Sequence, residues 1–157
     1  AITVAFALVK GAKPELVVQK LTELGVDRIV LFGAERSVTQ WDDAKAVKNL
    51  DRLRRVAREA CMQARSPDVP EVVGPVAFAE VVALPGAVLA DRSGAAPSLG
   101  RPTVLIGPEG GWSDGERQHL ADVGAVGLGA NVLRAETAAI AAASALTLLR
   151  SGLVLPG

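Results

Sequence analysis

Thr103-Val104-Leu105-Ile106-Gly107-Pro108-Glu109-Gly110-Gly111-Trp112-Ser113-Asp114-Gly115-Glu116 is the stretch that decides how this chain folds. Its first four residues are β-branched or aliphatic and read as a short buried strand. Pro108 and the glycines at 107, 110 and 111 then interrupt regular structure, and Ser113 with Glu116 has the capping-box spacing that opens a helix. Strand, glycine loop and capped helix in that order mark an α/β unit. Glycine lets backbone amides and carbonyls approach a ligand closely and proline stiffens the turn. The same residues also build an ordinary tight turn, so the loop alone leaves both readings open.

Working outward, the unit recurs. Ala125 to Leu128 reads as a strand, Gly129-Ala130-Asn131 as a loop, and the run from about Glu136 to Arg150 as a helix. Its apolar part, Ala138 to Leu149, is roughly 12 residues, short of the roughly 20 needed to span a bilayer. On the N-terminal side, Ile2 to Val9 is strand-like, and Pro14 opens a helix whose apolar spacing runs to Gly25. Arg28 to Phe32 is a second strand, followed by the polar Glu35-Arg36-Ser37. From Ala44 to Ala64, Ala46, Leu50, Leu53, Ala57, Ala60 and Ala64 recur at intervals of three and four, a long helix with one apolar face. Glu71 to Val73 and Ala87 to Ala90 read as short strands, Ala77 to Leu84 as a short helix, and Asp91 to Pro102 as a loop. The alternation predicts an α/β fold, a mainly parallel sheet with helices on both faces.

Composition sets limits. At 157 residues and 50% hydrophobic, the chain is expected to form one domain over residues 1–157, burying roughly two-thirds of its unfolded surface. Seventeen basic residues balance seventeen acidic ones, so contact with a polyanion must rest on a local patch. Lys45, Lys48, Arg52, Arg54, Arg55, Arg58 and Arg65 supply one along the long helix. With Lys20 and Arg36 they read as a phosphate-contacting face or, alternatively, as a solvated helix surface. A single cysteine, Cys61, and no basic-then-apolar leader favour a reducing, cytoplasmic setting.

Several chemistries are excluded by spacing. No Gly-x-Gly-x-x-Gly follows a strand and no Gly-Lys-Ser/Thr closes a phosphate loop. One histidine, His119, and one cysteine cannot supply a His/Cys zinc site, so no metal is expected; His119 reads as solvated. No Gly-x-Ser-x-Gly elbow exists for a serine hydrolase.

Ile106-Gly107-Pro108-Glu109-Gly110-Gly111, followed by Leu128-Gly129-Ala130-Asn131-Val132-Leu133-Arg134-Ala135-Glu136-Thr137-Ala138, resembles the RsmE family of the SPOUT class. Its members methylate N3 of a uridine in 16S rRNA. Gln19 to Val26, Glu35-Arg36-Ser37, Glu59-Ala60 with Gln63, and Val69-Pro70-Glu71 are similar to earlier blocks of the family in the same order, so the likeness covers nearly the whole chain. Ser66 stands where the family usually has arginine, with Arg65 beside it, and Trp112 where it has Phe or Leu.

The resemblance implies a C-terminal trefoil knot, a homodimer, 16S rRNA in the small ribosomal subunit as substrate, and S-adenosyl-L-methionine as cofactor. Members of the family also carry an RNA-binding, PUA-like domain before the first strand, a part expected to be missing from this chain, whose strand-like run opens at Ile2. Cofactor contacts are expected from Ala90, from Ile106, Gly107, Pro108, Glu109, Gly110 and Gly111, and from Leu128, Gly129, Val132, Leu133, Arg134 and Thr137. Arg134 and Glu109 are the expected catalytic pair: Arg134 for charge developing on the uracil oxygens, Glu109 to position the base or accept its proton. Both also have a structural reading, Arg134 paired with Glu136 and Glu109 capping backbone amides. Lys20, Arg36, Arg55, Arg58 and Arg65 are the expected RNA contacts. Two other functions remain open: a SPOUT enzyme acting on another RNA such as tRNA, and a non-catalytic RNA-binding or dimerisation module.

Overall fold

The computed structural model describes residues 1–8, 13–36 and 41–155; Val9 of the first expected strand and Ser37 of the Glu35-Arg36-Ser37 loop lie outside them. Strands β1 (Thr3–Ala7), β2 (Arg28–Phe32), β3 (Glu71–Val76), β4 (Ala87–Ala95), β5 (Thr103–Ile106) and β6 (Gly124–Val126) form one sheet, ordered β3-β2-β1-β5-β4-β6. Every pairing is parallel. Helices α1 (Pro14–Glu23), α2 (Asp43–Ala64), α3 (Phe78–Val82), α4 (Asp114–Leu120) and α5 (Ala135–Arg150) make up the rest.

Strand residues alternate between two buried faces, as a pleat with period two requires. Val4 and Phe6 of β1, Ile29 and Leu31 of β2, and Val104 and Ile106 of β5 enter one core with Val17, Val18 and Leu21 of α1, Leu53 and Ala57 of α2, and Ala139, Ala142, Ala143 and Leu146 of α5. Ala5, Ala7, Val30, Phe32 and Leu105 face the opposite core with Val81 of α3 and Leu120 of α4. Alanine on α5 lets that helix lie close against the central strands. The long helix keeps the expected face only in part: Leu53, Ala57 and Ala60 are buried with Cys61, but Ala64 is exposed at the last turn.

Two boundaries differ from the sequence reading. The strand from Ala87 continues to Ala95, because Val126 is the register partner of both Ala90 and Ala95. Residues 91–94 have no partner on β6 and bow outward, while Gly94 returns so close to the Val126 backbone that a Cβ there would overlap it. β3 extends to Val76 past the expected Val73, since its register with β2 resumes at Phe32↔Val76 after a shift.

Asp27 fastens three distant segments at the end of the sheet where the strands begin. Its carboxylate accepts from the Ile2 amide at 2.5 Å and from Arg150 at the end of α5 at 2.6 Å. Both charged side chains are about 40% exposed (39% and 42%), so solvent screens much of the attraction. Asp27→Ala is expected to cost about 1–2 kcal/mol, mostly through the unpaired amide and guanidinium, read as a lower urea midpoint at unchanged m-value.

Candidate functional site

With all strands parallel, the loops after β2, β4, β5 and β6 emerge at one edge of the sheet. β4 lies between β5 and β6, so the loops that follow β4 and β6 stand side by side there. A cleft of ≈ 230 Å³ opens at that edge, lined by Ala90, Asp91 and Arg92 from β4 and by Leu128, Gly129, Asn131, Val132 and Leu133 after β6, with Ala138 of α5 at its base. The outward bow of β4 at residues 91–94 makes one wall. Gly129 shapes the other: its φ of +127° is a conformation side chains rarely adopt, and a Cβ there would point into open space.

Five of the expected cofactor residues, Ala90, Leu128, Gly129, Val132 and Leu133, therefore share one cleft. Ile106, Gly107, Pro108, Glu109, Gly110, Gly111, Arg134 and Thr137 are outside its lining. Ile106 and Pro108 are buried beneath the glycine loop, and Thr137 is exposed in the first turn of α5. The two loops meet through Arg134, whose Nη1 lies 3.1 Å from Glu109 Oε2 and 3.2 Å from Oε1. Arg134 thus pairs with Glu109 and not with Glu136. At 75% and 48% side-chain exposure, an ion pair of this kind is worth about 0–1 kcal/mol, so an incoming ligand can displace it at little cost.

The glycine loop is also held from behind. Buried Glu116 accepts from the Ser113 amide at 2.9 Å, closing the expected capping box, and from the Glu35 amide at 2.8 Å. Arg36, next in the chain, donates to the Gly110 carbonyl at 3.2 Å. Gly107 owes its lack of a side chain to Trp112, whose indole lies where a Cβ would come within 2.5 Å. Trp112 in turn stacks on Phe32 (6.2 Å between centroids, 7° between planes) and packs against Phe78 at 5.2 Å. His119 is exposed as expected, but its ring also meets Phe78 edge-on and Nδ1 sits 2.9 Å from the Gly115 carbonyl.

The expected RNA contacts are spread over the molecule. Arg36 stands at the glycine loop. Lys20, in the last turn of α1, and Arg65, the left-handed C-cap of α2, lie toward the opposite edge, where β2 and β3 begin. Lys20 is paired with Glu23 at 2.9 Å. Arg55 and Arg58 are exposed on α2 without a hydrogen bond or ion pair to any described residue, whereas Arg52 is bound to Glu15 at 2.7 Å and Arg54 to the Val72 carbonyl at 3.1 Å. Among the described residues no group of three or more His, Cys, Asp or Glu is placed to hold a metal ion, and no helix is long and apolar enough to cross a membrane.

Sequence reasoning passed over Asp91, Arg92, Asn131 and Ala138. Asp91 Oδ1 accepts from the Ser93 hydroxyl at 2.6 Å and the Ser93 amide at 2.8 Å. These two bonds, the hydroxyl first, hold its carboxyl below the usual Asp range against the opposing effect of burial, with the nearby Arg92 charge a smaller help. The signal for Asp91 and Arg92 in the sequence is the polar run directly after an apolar strand, which the turn-like composition of 91–102 obscures.

Residues 1–147 match the family model described as an RNA methyltransferase domain. The chain belongs to this family. Within it the resemblance is to the RsmE members: the domain is 36% identical to ribosomal RNA small subunit methyltransferase E of Mycobacterium tuberculosis over 96% of its length, and 32% identical to that of Bacillus subtilis over 92%. It spans 64% of the length of each of these curated relatives. A crystal structure of the Neisseria gonorrhoeae ribosomal RNA small subunit methyltransferase E bound to S-adenosyl methionine superposes with a TM-score of 0.79 at 32% identity, covering 94% of the domain and 66% of that chain. The SpoU methyltransferase AviRb of Streptomyces viridochromogenes shares the fold, with a TM-score of 0.56 at 20% identity over 96% of the domain and 58% of that chain.

Gly107→Ala is expected to push the Trp112 indole off Phe32 and destabilise the domain by about 1–3 kcal/mol. The check is a lower melting temperature with altered tryptophan fluorescence, the Trp41→Phe background isolating the Trp112 signal.

Proposed function

We propose that this domain transfers the methyl group of S-adenosyl-L-methionine to N3 of a uridine in 16S rRNA of the small ribosomal subunit, as a homodimer in the cytoplasm. The observation that carries the reading is the pairing of the two RsmE-like loops through Arg134 and Glu109 beside a cleft that the second loop walls, in a fold shared, at 32% identity, with a cofactor-bound enzyme of that name. The reading brings with it the C-terminal trefoil knot and a single domain over residues 1–157. Exposed Leu148, Leu153, Val154 and Leu155 at the end of α5 suit self-association.

The cleft fits an adenosyl group. Ala90, Leu128, Val132, Leu133 and Ala138 supply apolar walls for a purine, Gly129 leaves a side-chain-sized space, and backbone groups of the loop provide polar contacts. When bound, the cofactor supplies a methyl already activated by its sulfonium. The chain's own residues must then hold the uracil ring in line and favour loss of the N3 proton, because the neutral imide nitrogen is a poor nucleophile. Arg134, released from Glu109, donates in this reading to the uracil oxygens as they gain charge. Glu109, freed by the same exchange, is left to orient the base or take its proton. Arg36, anchored on the Gly110 carbonyl of the same loop, suits a flanking phosphate.

Calorimetric titration tests the two halves separately. Gly129→Val is expected to abolish saturable binding of S-adenosylmethionine and S-adenosylhomocysteine seen with the wild type. Arg134→Ala is expected to keep that binding while methylation of unmodified small subunits falls about 10²–10³-fold. Loss of cofactor binding in Arg134→Ala would remove the catalytic assignment.

A further inference from the structure

Among the described residues, Asp91 is the one acidic residue lining the cleft. Oδ1 is engaged twice by Ser93, which fixes the carboxylate, while Oδ2 has no partner among the described residues. An ionised carboxylate only accepts hydrogen bonds. A fixed carboxylate with a free oxygen on the wall of a cleft whose other polar side chains are Arg92 and Asn131 therefore selects a ligand that presents donors there.

The cofactor reading above, on which this inference rests, offers two kinds of donor: the ribose hydroxyls and the α-ammonium of the methionine end. The cleft distinguishes them. At ≈ 230 Å³ it falls below the roughly 300–1,000 Å³ of sites that engulf a whole drug-sized ligand, so it takes one end of the cofactor. Its apolar walls suit the nucleoside. Arg92 lines the same cleft beside Asp91 and repels a second cation, whereas neutral hydroxyls carry no such penalty. An acidic residue at the end of a parallel strand holding a ribose is also the general solution in dinucleotide-binding sheets.

We propose that Asp91 is a cofactor-binding residue that accepts hydrogen bonds from the ribose hydroxyls of the adenosyl group, oriented for this by Ser93. The bow of β4 at residues 91–94 then has a binding purpose: it turns Asp91 away from the sheet ladder and into the crevice.

The test is calorimetry with S-adenosylhomocysteine, 5′-methylthioadenosine and the 2′,3′-dideoxy analogue of the latter, on the wild type, Asp91→Ala and Asp91→Asn. Asp91 is exposed and outside both cores, and thermal melting of each variant checks that the fold is kept. Asp91→Ala is expected to weaken S-adenosylhomocysteine and 5′-methylthioadenosine by the same factor, roughly tenfold, the size of one charge-assisted hydrogen bond. The dideoxy analogue is expected to bind wild type and variant alike. Asp91→Asn, which keeps the acceptor for Ser93, is expected to show a smaller loss with the same ligand pattern. A loss confined to S-adenosylhomocysteine would place Asp91 on the ammonium and overturn the proposal. Equal loss for the dideoxy analogue would show a merely structural role, and no loss for any ligand would also overturn it. Failure of the wild type to bind S-adenosylhomocysteine at all would instead count against the cofactor reading itself.

Discussion

Parallel pairing of all six strands is the constraint from which the rest of this structure follows. Strands that run the same way cannot be joined by tight hairpins, so each crossover spends a helix or a long connection, and those helices cover both faces of the sheet. The same pairing sends the loops that follow β2, β4, β5 and β6 to one edge. Glycine loop, β4 bow and the Leu128–Arg134 segment meet there without any direct sequence adjacency, because β4 lies between β5 and β6.

Rigidity and pliability are divided sharply across that edge. Behind the glycine loop, Glu116 satisfies two backbone amides from one buried carboxylate, and Trp112 fills the space beside Gly107 against Phe32 and Phe78. In front of it, Arg134 and Glu109 are solvated and joined by an ion pair worth little in water. Such an arrangement keeps the backbone of the site preorganised while leaving Arg134 and Glu109 free to exchange partners.

Much of this was legible in the chain. Arg28–Phe32 and Thr103–Ile106 were bounded correctly because apolar runs ended at glycine or charge, and Pro14 and Ser113 marked helix starts through the chemistry of orphan amides. The strand after Ala87 was read too short because Asp91-Arg92-Ser93-Gly94 looks like a turn; only Ala95 regaining Val126 as a partner makes it strand again. Arg134 was weighed against a neighbour at i+2, Glu136, while its partner proved to be Glu109 on another loop.

By itself the sequence determined the α/β class, most of the elements and the two RsmE-like loops, since hydrophobic period, caps and breakers are local properties read over a few residues. Only the tertiary structure decided that β4 lies outside β5, that Asp91 and Arg92 face Gly129, and that Arg134 pairs with Glu109. It also separated Lys20 and Arg65 from Arg36, placing them toward opposite edges of the sheet. These are consequences of strand order, and strand order is set by which apolar faces pack together across the whole chain, information that no short stretch of residues contains.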